Sequence, residues 1–347
     1  MLDHILLLYG IQPADCKIEP FGDGLINHTW KVSLKNEAYI LQQINHNIFK
    51  SPATIDQNLS RLKAYLNAHY PLYLFVGPLP SVTGPTLVQT DDGYFRLFPF
   101  ISNSHSVNVL TEKEEAFEAA KQFGKFSRLL SDFKVEELGI TLPDFHNLSL
   151  RYQQFLHACE NAAAERKIKA ANGISFILEN RDIVTTFERL VKDEEIPLRV
   201  IHHDTKISNV LFDNDNKGIC VIDLDTVMPG YFISDVGDMM RTYLSAASEE
   251  EVDFDKIEIR KDFYTAVRNG YLQEMDGVLT TQEKAYFNYA GKFIIFMQAI
   301  RFLTDYLEND VYYGRKYEDH NLNRGLNQIT LLKKFQEIEH DLKTMTN

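Results

Sequence analysis

Asp204 and Asn209 lie five residues apart in the stretch VIHHDTKISNVLFD, and a second apolar run, KGICVID, ends on Asp223. Asp225 follows two residues later. A carboxylate, an amide and further carboxylates at the ends of short β-like runs are hard oxygen donors of the kind that Mg²⁺ takes. A carboxylate not used on the metal accepts a proton from a hydroxyl. Metal binding and proton acceptance are both needed for phosphoryl transfer. Isolated Asp and Asn residues also cap turns, so residue type alone leaves a plain turn open. The spacing His202-x-Asp204-x-Lys206-x-x-Asn209, followed by VID, is richer than a turn requires.

The elements around these residues follow from local pattern. TWKVSL and AYILQQI are short alternating or apolar runs joined by KNE, which predicts a hairpin. TIDQNLSRLKAYLNAHY has helical spacing, and TDDG marks a turn before the apolar strand FRLFPFI. Helical patterns dominate from Thr111 onward. Thr111 and Glu114 form a capping-box pattern that predicts a helix to about Ser131, and Thr280 with Glu283 predicts a second start. The run after it, KAYFNYAGKFIIFMQAIRFLTDYLEN, is apolar nearly all round and is expected to be a central buried helix. Arg301 lies four residues after Met297 and seven after Ile294, on the same inward face. A guanidinium there needs a carboxylate or a ligand oxygen as partner. The expected fold is α+β and bilobal: a small β-rich lobe over residues 1–98 and a larger helical lobe over 99–347.

Composition bounds the partners. The chain has 347 residues, 44% hydrophobic and 24% charged, enough for two lobes with a sizeable core. A formal net charge of -13 repels phosphate backbones, so nucleic acid is not an expected partner. The three cysteines are far apart and odd in number, which suggests reduced thiols in a cytoplasmic protein. MLDHILLLYG is too short and too acidic for a signal peptide, and no apolar run reaches a membrane span.

The catalytic-loop spacing resembles that of the protein kinases. HHDTKISNVLFD with VIDLDTVMPGYFISDVGDMMR is similar to the aminoglycoside phosphotransferase/choline kinase superfamily of small-molecule kinases. Within it the chain most resembles the N-acetylhexosamine 1-kinases, through IEPFGDGLINHTW, YILQQIN, IPLRVIHHDTKISNVLFD and RFLTDYLENDVYYGRKYEDHNL. These blocks run from about residue 18 to residue 330. The resemblance implies ATP and Mg²⁺ as cofactors and a bilobal kinase-like fold. It implies Asp204 as the base that meets the acceptor hydroxyl, Lys206 as a partner of the γ-phosphate, and Asn209 and Asp223 as metal ligands. It places Gly22, Gly24, Gln42, Pro99 and Phe100 at the nucleotide, and Thr226, Arg301 and Tyr312 at a sugar. Asp225 is expected to complete the metal's outer shell or to hold Lys206. His202 and His203 are expected to brace the loop, as is Asp235.

The same resemblance contains departures. Gln42 and Gln43 stand where many kinases of the wider superfamily carry a phosphate-binding lysine, an LQQ form that resembles the hexosamine kinases, and Leu25 stands where a polar sugar contact is expected. The expected reaction is transfer from ATP to the anomeric hydroxyl of N-acetylglucosamine or N-acetylgalactosamine. Two alternatives stay open: a kinase of the same fold acting on choline, homoserine or an aminoglycoside, and a kinase fold kept for binding without catalysis. Oligomeric state is not legible in the sequence.

Overall fold

The computed structural model describes residues 2–22 and 26–344. Gly24 and Leu25, singled out in the glycine-rich turn, lie outside the described residues. In chain order the elements are α1 (Leu2–Leu8), β1 (Lys17–Pro20), β2 (His28–Ser33), β3 (Ala38–Ile44), α2 (Pro52–His69), β4 (Val88–Thr90) and β5 (Gly93–Pro99). Then come α3 (Lys113–Leu129), α4 (Leu148–Asn161), α5 (Ala164–Lys169), α6 (Ala171–Glu179) and α7 (Asp182–Lys192). The strands β6 (Arg199–Ile201), β7 (Val210–Phe212), β8 (Gly218–Val221) and β9 (Met228–Gly230) follow. The chain closes with α8 (Phe232–Tyr243), α9 (Lys261–Met275), α10 (Thr281–Ala285), α11 (Phe287–Leu307) and α12 (His320–Thr344). This is the expected α+β arrangement of a small N-terminal β-sheet region and a larger helical part. It divides into two compact units: Met1–Ser106 with Asp132–Pro143 and Leu211–Pro229, and Val107–Ser131 with Asp144–Val210 and Gly230–Asn347.

The first unit is organised by an antiparallel sheet in the order β1-β2-β3-β5-β4. The β2–β3 hairpin forms where KNE predicts it, with Ser33 opposite Ala38. The TDDG turn closes β4 on β5, and Gly93 takes a φ of +125° that a side chain would resist. One face of the sheet buries Val32, Leu41, Phe95 and Leu97 against Ile5, Leu6 and Ile11. Each large apolar side chain so buried contributes about 1.5–3 kcal/mol. Asn58 on α2 ties the distant segments of this unit together. Its amide donates to the carbonyls of Gly139 (2.8 Å) and Val227 (3.1 Å), and its Oδ1 accepts from the Gly139 N–H (2.8 Å).

The second unit packs around α11, whose sides meet α8, α12 and α4. Its buried residues include Phe293, Ile294, Ile295, Phe296 and Met297, consecutive round the helix, as an apolar-all-round pattern requires. Gly237 on α8 allows that helix to approach closely: a Cβ there would lie 2.2 Å from the Ala290 carbonyl oxygen.

Two local expectations are corrected. The capping box of α3 is Glu112 with Glu115, one residue later than the Thr111/Glu114 pair, because Glu115 reaches back to the N–H groups of both Thr111 and Glu112. The run after Thr280 is broken at Tyr286 into α10 and α11. The Thr280/Glu283 box forms, and the Glu283 carboxylate then pairs with Arg199 at 2.7 Å, which anchors α10 separately. No helix among the described residues is long and apolar enough to cross a membrane.

Candidate active site

The catalytic-loop residues lie in the second unit, just after β6. His203 has a left-handed φ of +68°, a conformation that costs a non-glycine residue about 1–3 kcal/mol. It persists because the flanking backbone is held from α8. The Asp235 carboxylate accepts from the N–H of His202 (3.0 Å) and of His203 (2.7 Å). Asp238, one turn further on α8, accepts from the Thr205 N–H at 2.8 Å, and the Tyr243 hydroxyl donates to the Thr205 carbonyl at 2.7 Å. Asp235 is therefore placed as the brace that the sequence suggested. Burial pushes its pKa up to about 7, against the pull of the two N–H donors. His202 is packed edge-on against Phe123, with ring centroids 5.1 Å apart. At Gly230 a Cβ would lie 2.4 Å from His203 Nε2, so only glycine fits against that ring.

Asp204 itself is less enclosed, with 23% of its side chain exposed. Its Oδ2 is 3.1 Å from Lys206 Nζ and accepts from Asn209 Nδ2 at 3.2 Å; the same amide nitrogen donates to the Asp204 carbonyl at 2.9 Å. Both donor contacts use the nitrogen of Asn209, so its Oδ1 is turned away from Asp204. That oxygen is a suitable hard ligand for Mg²⁺. Among the described residues no three His, Cys, Asp or Glu side chains gather as a metal cage.

In the first unit Asp223 begins the short turn Leu224–Thr226 with a φ of +58°. Asp225 lies within that turn. It pairs with Arg96 on β5 at 2.6 Å, both side chains only 3% exposed, and its Oδ2 accepts from Asn27 Nδ2 at 2.8 Å. Lys206 is engaged with Asp204. Gln42 on β3 faces Arg96 across the sheet. Its Oε1 accepts from Arg96 Nε (3.2 Å) and Nη2 (2.9 Å), and its amide donates to Thr29 Oγ1 at 3.2 Å. A buried positive charge thus stands on β5 beside the uncharged β3 position. Breaking such a pair from one side costs about 3–5 kcal/mol. Gly22 keeps a φ of +77° with open space around its Cα, and Pro99 ends β5 opposite Tyr39. Phe100 follows, with Lys31 Nζ 3.7 Å from its ring centroid and Phe21 edge-on at 6.0 Å. Thr226 is buried on the same turn as Asp225.

A second cluster of the helical unit surrounds Arg301. Its guanidinium lies 5.7 Å from the Phe145 ring, 5.9 Å from Tyr312 and 5.6 Å from Tyr313, and 3.5 Å from Gln298 Oε1. No carboxylate among the described residues pairs with it. Asp305, one turn along α11, instead accepts from the N–H of Tyr312 (2.7 Å) and Tyr313 (3.0 Å) and so fixes the loop that presents both rings. Tyr312 is 74% exposed. Phe145 and Tyr313 were not legible as site residues. PDFHN reads as an ordinary turn, and nothing in YYG separates its two tyrosines.

These features define a phosphotransferase-like α+β protein. Residues 17–269 match the model of the phosphotransferase enzyme family, APH, and the chain belongs to that family. Its fold is shared with aminoglycoside phosphotransferase and choline kinase structures. Among solved structures it is similar to the spectinomycin phosphotransferase APH(9)-Ia bound to ADP and spectinomycin, at 15% identity and a TM-score of 0.62, covering 97% of this chain and 98% of that one. It is similar to a microcompartment-associated aminopropanol kinase at 12% identity and a TM-score of 0.64, covering 98% and 97%. The ethanolamine kinase of Plasmodium vivax matches at 17% identity and a TM-score of 0.58, covering 97% and 88%. The shared fold is that of the kinases.

Proposed function

We propose that the chain transfers the γ-phosphate of ATP to the anomeric hydroxyl of an N-acetylhexosamine, N-acetylglucosamine or N-acetylgalactosamine. The observation that carries this reading is Arg301. It is held among three aromatic rings with no carboxylate partner among the described residues. This half-buried guanidinium has one long contact to an oxygen, Gln298 Oε1, and donors left over for a ligand oxygen; its directed donors suit ring hydroxyls. The same charge repels the ammonium of choline, ethanolamine or an aminoglycoside, which the amino-alcohol reading would require. The sequence blocks shared with the hexosamine kinases support the same choice.

In the proposed reaction the anomeric oxygen attacks the γ-phosphorus, the bond to the β-phosphate oxygen breaks, and ADP leaves. Asp204 takes the hydroxyl proton. An anomeric hydroxyl is more acidic than an ordinary alcohol, so full deprotonation beforehand is unnecessary, and positioning supplies much of the rate. Lys206 offsets charge on the transferring group. Asn209 and Asp223 are the residues that would hold Mg²⁺, which neutralises phosphate charge when bound. Gly22, Gly24, Gln42, Pro99 and Phe100 are assigned to the nucleotide, and Thr226, Arg301 and Tyr312 to the sugar.

The test is Arg301→Leu, which keeps much of the packing volume. The sugar KM should rise by tenfold or more, which corresponds to about 1.4 kcal/mol, with the ATP KM little changed and the melting temperature close to wild type. An early-melting variant with a normal sugar KM would make Arg301 a structural residue.

A further inference from the structure

Three consecutive residues between α3 and α4 connect Arg301 to the catalytic loop. The Asp144 carbonyl accepts from Arg151 Nη2 at 2.9 Å. The Phe145 ring lies 5.7 Å from the Arg301 guanidinium. The His146 ring stacks on Phe145 at 4.4 Å and lies 5.3 Å from the ring of His203, next to Asp204. One short segment therefore gathers Arg151, Arg301 and His146 beside the residue assigned as base.

This cluster holds two guanidinium groups, Arg151 and Arg301, with the Asp144 carboxylate near Arg151. Arg151 donates to Gln154 Oε1 (3.0 Å) and to a backbone carbonyl, while its Nε is buried without a hydrogen-bond partner. Like Arg301, it pairs with no carboxylate among the described residues. Asp144 is near enough to act on Arg151, its Oδ1 accepting from Asn147 Nδ2 at 2.8 Å, and other acids of this unit are engaged elsewhere. Asp238 and Glu249 hold Arg241, Glu249 also holds Arg324, and Glu250 holds His320. Burial, and then the charge of Arg301, lower the pKa of Arg151, as two like charges in one neighbourhood must. His146 is held far below the ordinary histidine range, first by burial and then by His203 and by Arg301, Arg241 and Arg151. It is therefore neutral, and its buried Nδ1 has no hydrogen-bond partner among the described residues.

We propose that Arg151 and His146 are specificity-determining residues that, with Arg301, form an acceptor wall accepting neutral or anionic oxygen-bearing groups and excluding cations. The inference rests on the reading of the chain as a small-alcohol kinase, and it is independent of which alcohol is used. Unpaired donors on buried groups are satisfied by ligand oxygens at little extra desolvation, whereas an ammonium adds a third like charge.

Matched acceptors isolate charge from shape. Glucose and glucosamine differ at one position, hydroxyl against ammonium at neutral pH, and ethylene glycol and ethanolamine repeat the comparison without a sugar ring. With ATP and Mg²⁺, wild type should favour the neutral member of whichever pair it phosphorylates by about tenfold or more in kcat/KM, the size of effect expected for like charges in a partly desolvated site. Arg151→Met should narrow that ratio about tenfold, chiefly through KM, and Arg151→Lys should retain it. Melting temperatures of both variants close to wild type exclude a folding effect. Preference for the cationic member, or a ratio unchanged in Arg151→Met, overturns the inference. Turnover of N-acetylglucosamine with an unchanged ratio would remove the inference and keep the hexosamine reading. Preference for ethylene glycol over ethanolamine without any sugar turnover would do the opposite. No transfer to any of the four acceptors or to N-acetylglucosamine counts against both.

Discussion

Asp204 is flanked by a cation and an amide, with Lys206 Nζ at 3.1 Å and Asn209 Nδ2 at 3.2 Å from the same oxygen. Two neighbouring donors aim the carboxylate, while its partial exposure leaves room for an acceptor. Asp204→Asn removes the proton-accepting oxygen and keeps the shape. Turnover should fall by about a hundredfold or more, within the range for loss of a general base, with nucleotide affinity measured by calorimetry little changed. A loss under about tenfold would mean that the base lies elsewhere. Spacing singled out Asp204, Asn209 and Asp223 as candidates, and their expected roles came from the family resemblance, because Asp and Asn at strand ends also serve as turn residues. The partners of Arg301 were not legible. Phe145 lies 156 positions away in sequence, and no local pattern reports a contact at that range.

At the scale of elements, α8 is the support of the catalytic loop. Asp235 and Asp238 lie three residues apart on one helix face, which brings both under the loop backbone. Asp235 is raised from about 3.8 to about 7 by burial, so the native carboxyl keeps a proton over a range where the unfolded chain has released it. Its contribution to stability is full below the unfolded value and is lost as pH rises through about 7. Asp235→Asn cannot titrate. The melting-temperature margin of wild type over Asp235→Asn should therefore shrink steadily from pH 5 to pH 8. A margin that is flat or grows with pH would show a carboxylate ionised throughout. The helices α2, α3 and α11 were legible from periodicity, and α4 to α9 and α12 only as a helix-rich stretch. The end of α10 was not, because the break at Tyr286 accompanies a long-range pair, Glu283 with Arg199, that helical propensity does not encode. The shift of the α3 cap to Glu112 has a similar origin: Glu115 serves two backbone donors, and the residue-type pattern counts only one.

For the whole molecule, the α+β division followed from β-like runs early in the chain and helical runs later, and the family match over residues 17–269 agrees with it. The fold leaves the acceptor open, since solved relatives at 12–17% identity include an aminopropanol kinase and an ethanolamine kinase. The proposed acceptor therefore depends on the charge around Arg301 and on the sequence blocks near it, beyond fold alone. The most direct test is the position of the phosphate on the product. N-acetylglucosamine incubated with the protein, ATP and Mg²⁺ should give one sugar phosphate whose phosphorus couples to the anomeric proton in the NMR spectrum, with ADP released in equal amount. Coupling to the C6 protons, or ADP release only with choline, ethanolamine or an aminoglycoside as acceptor, would contradict the account.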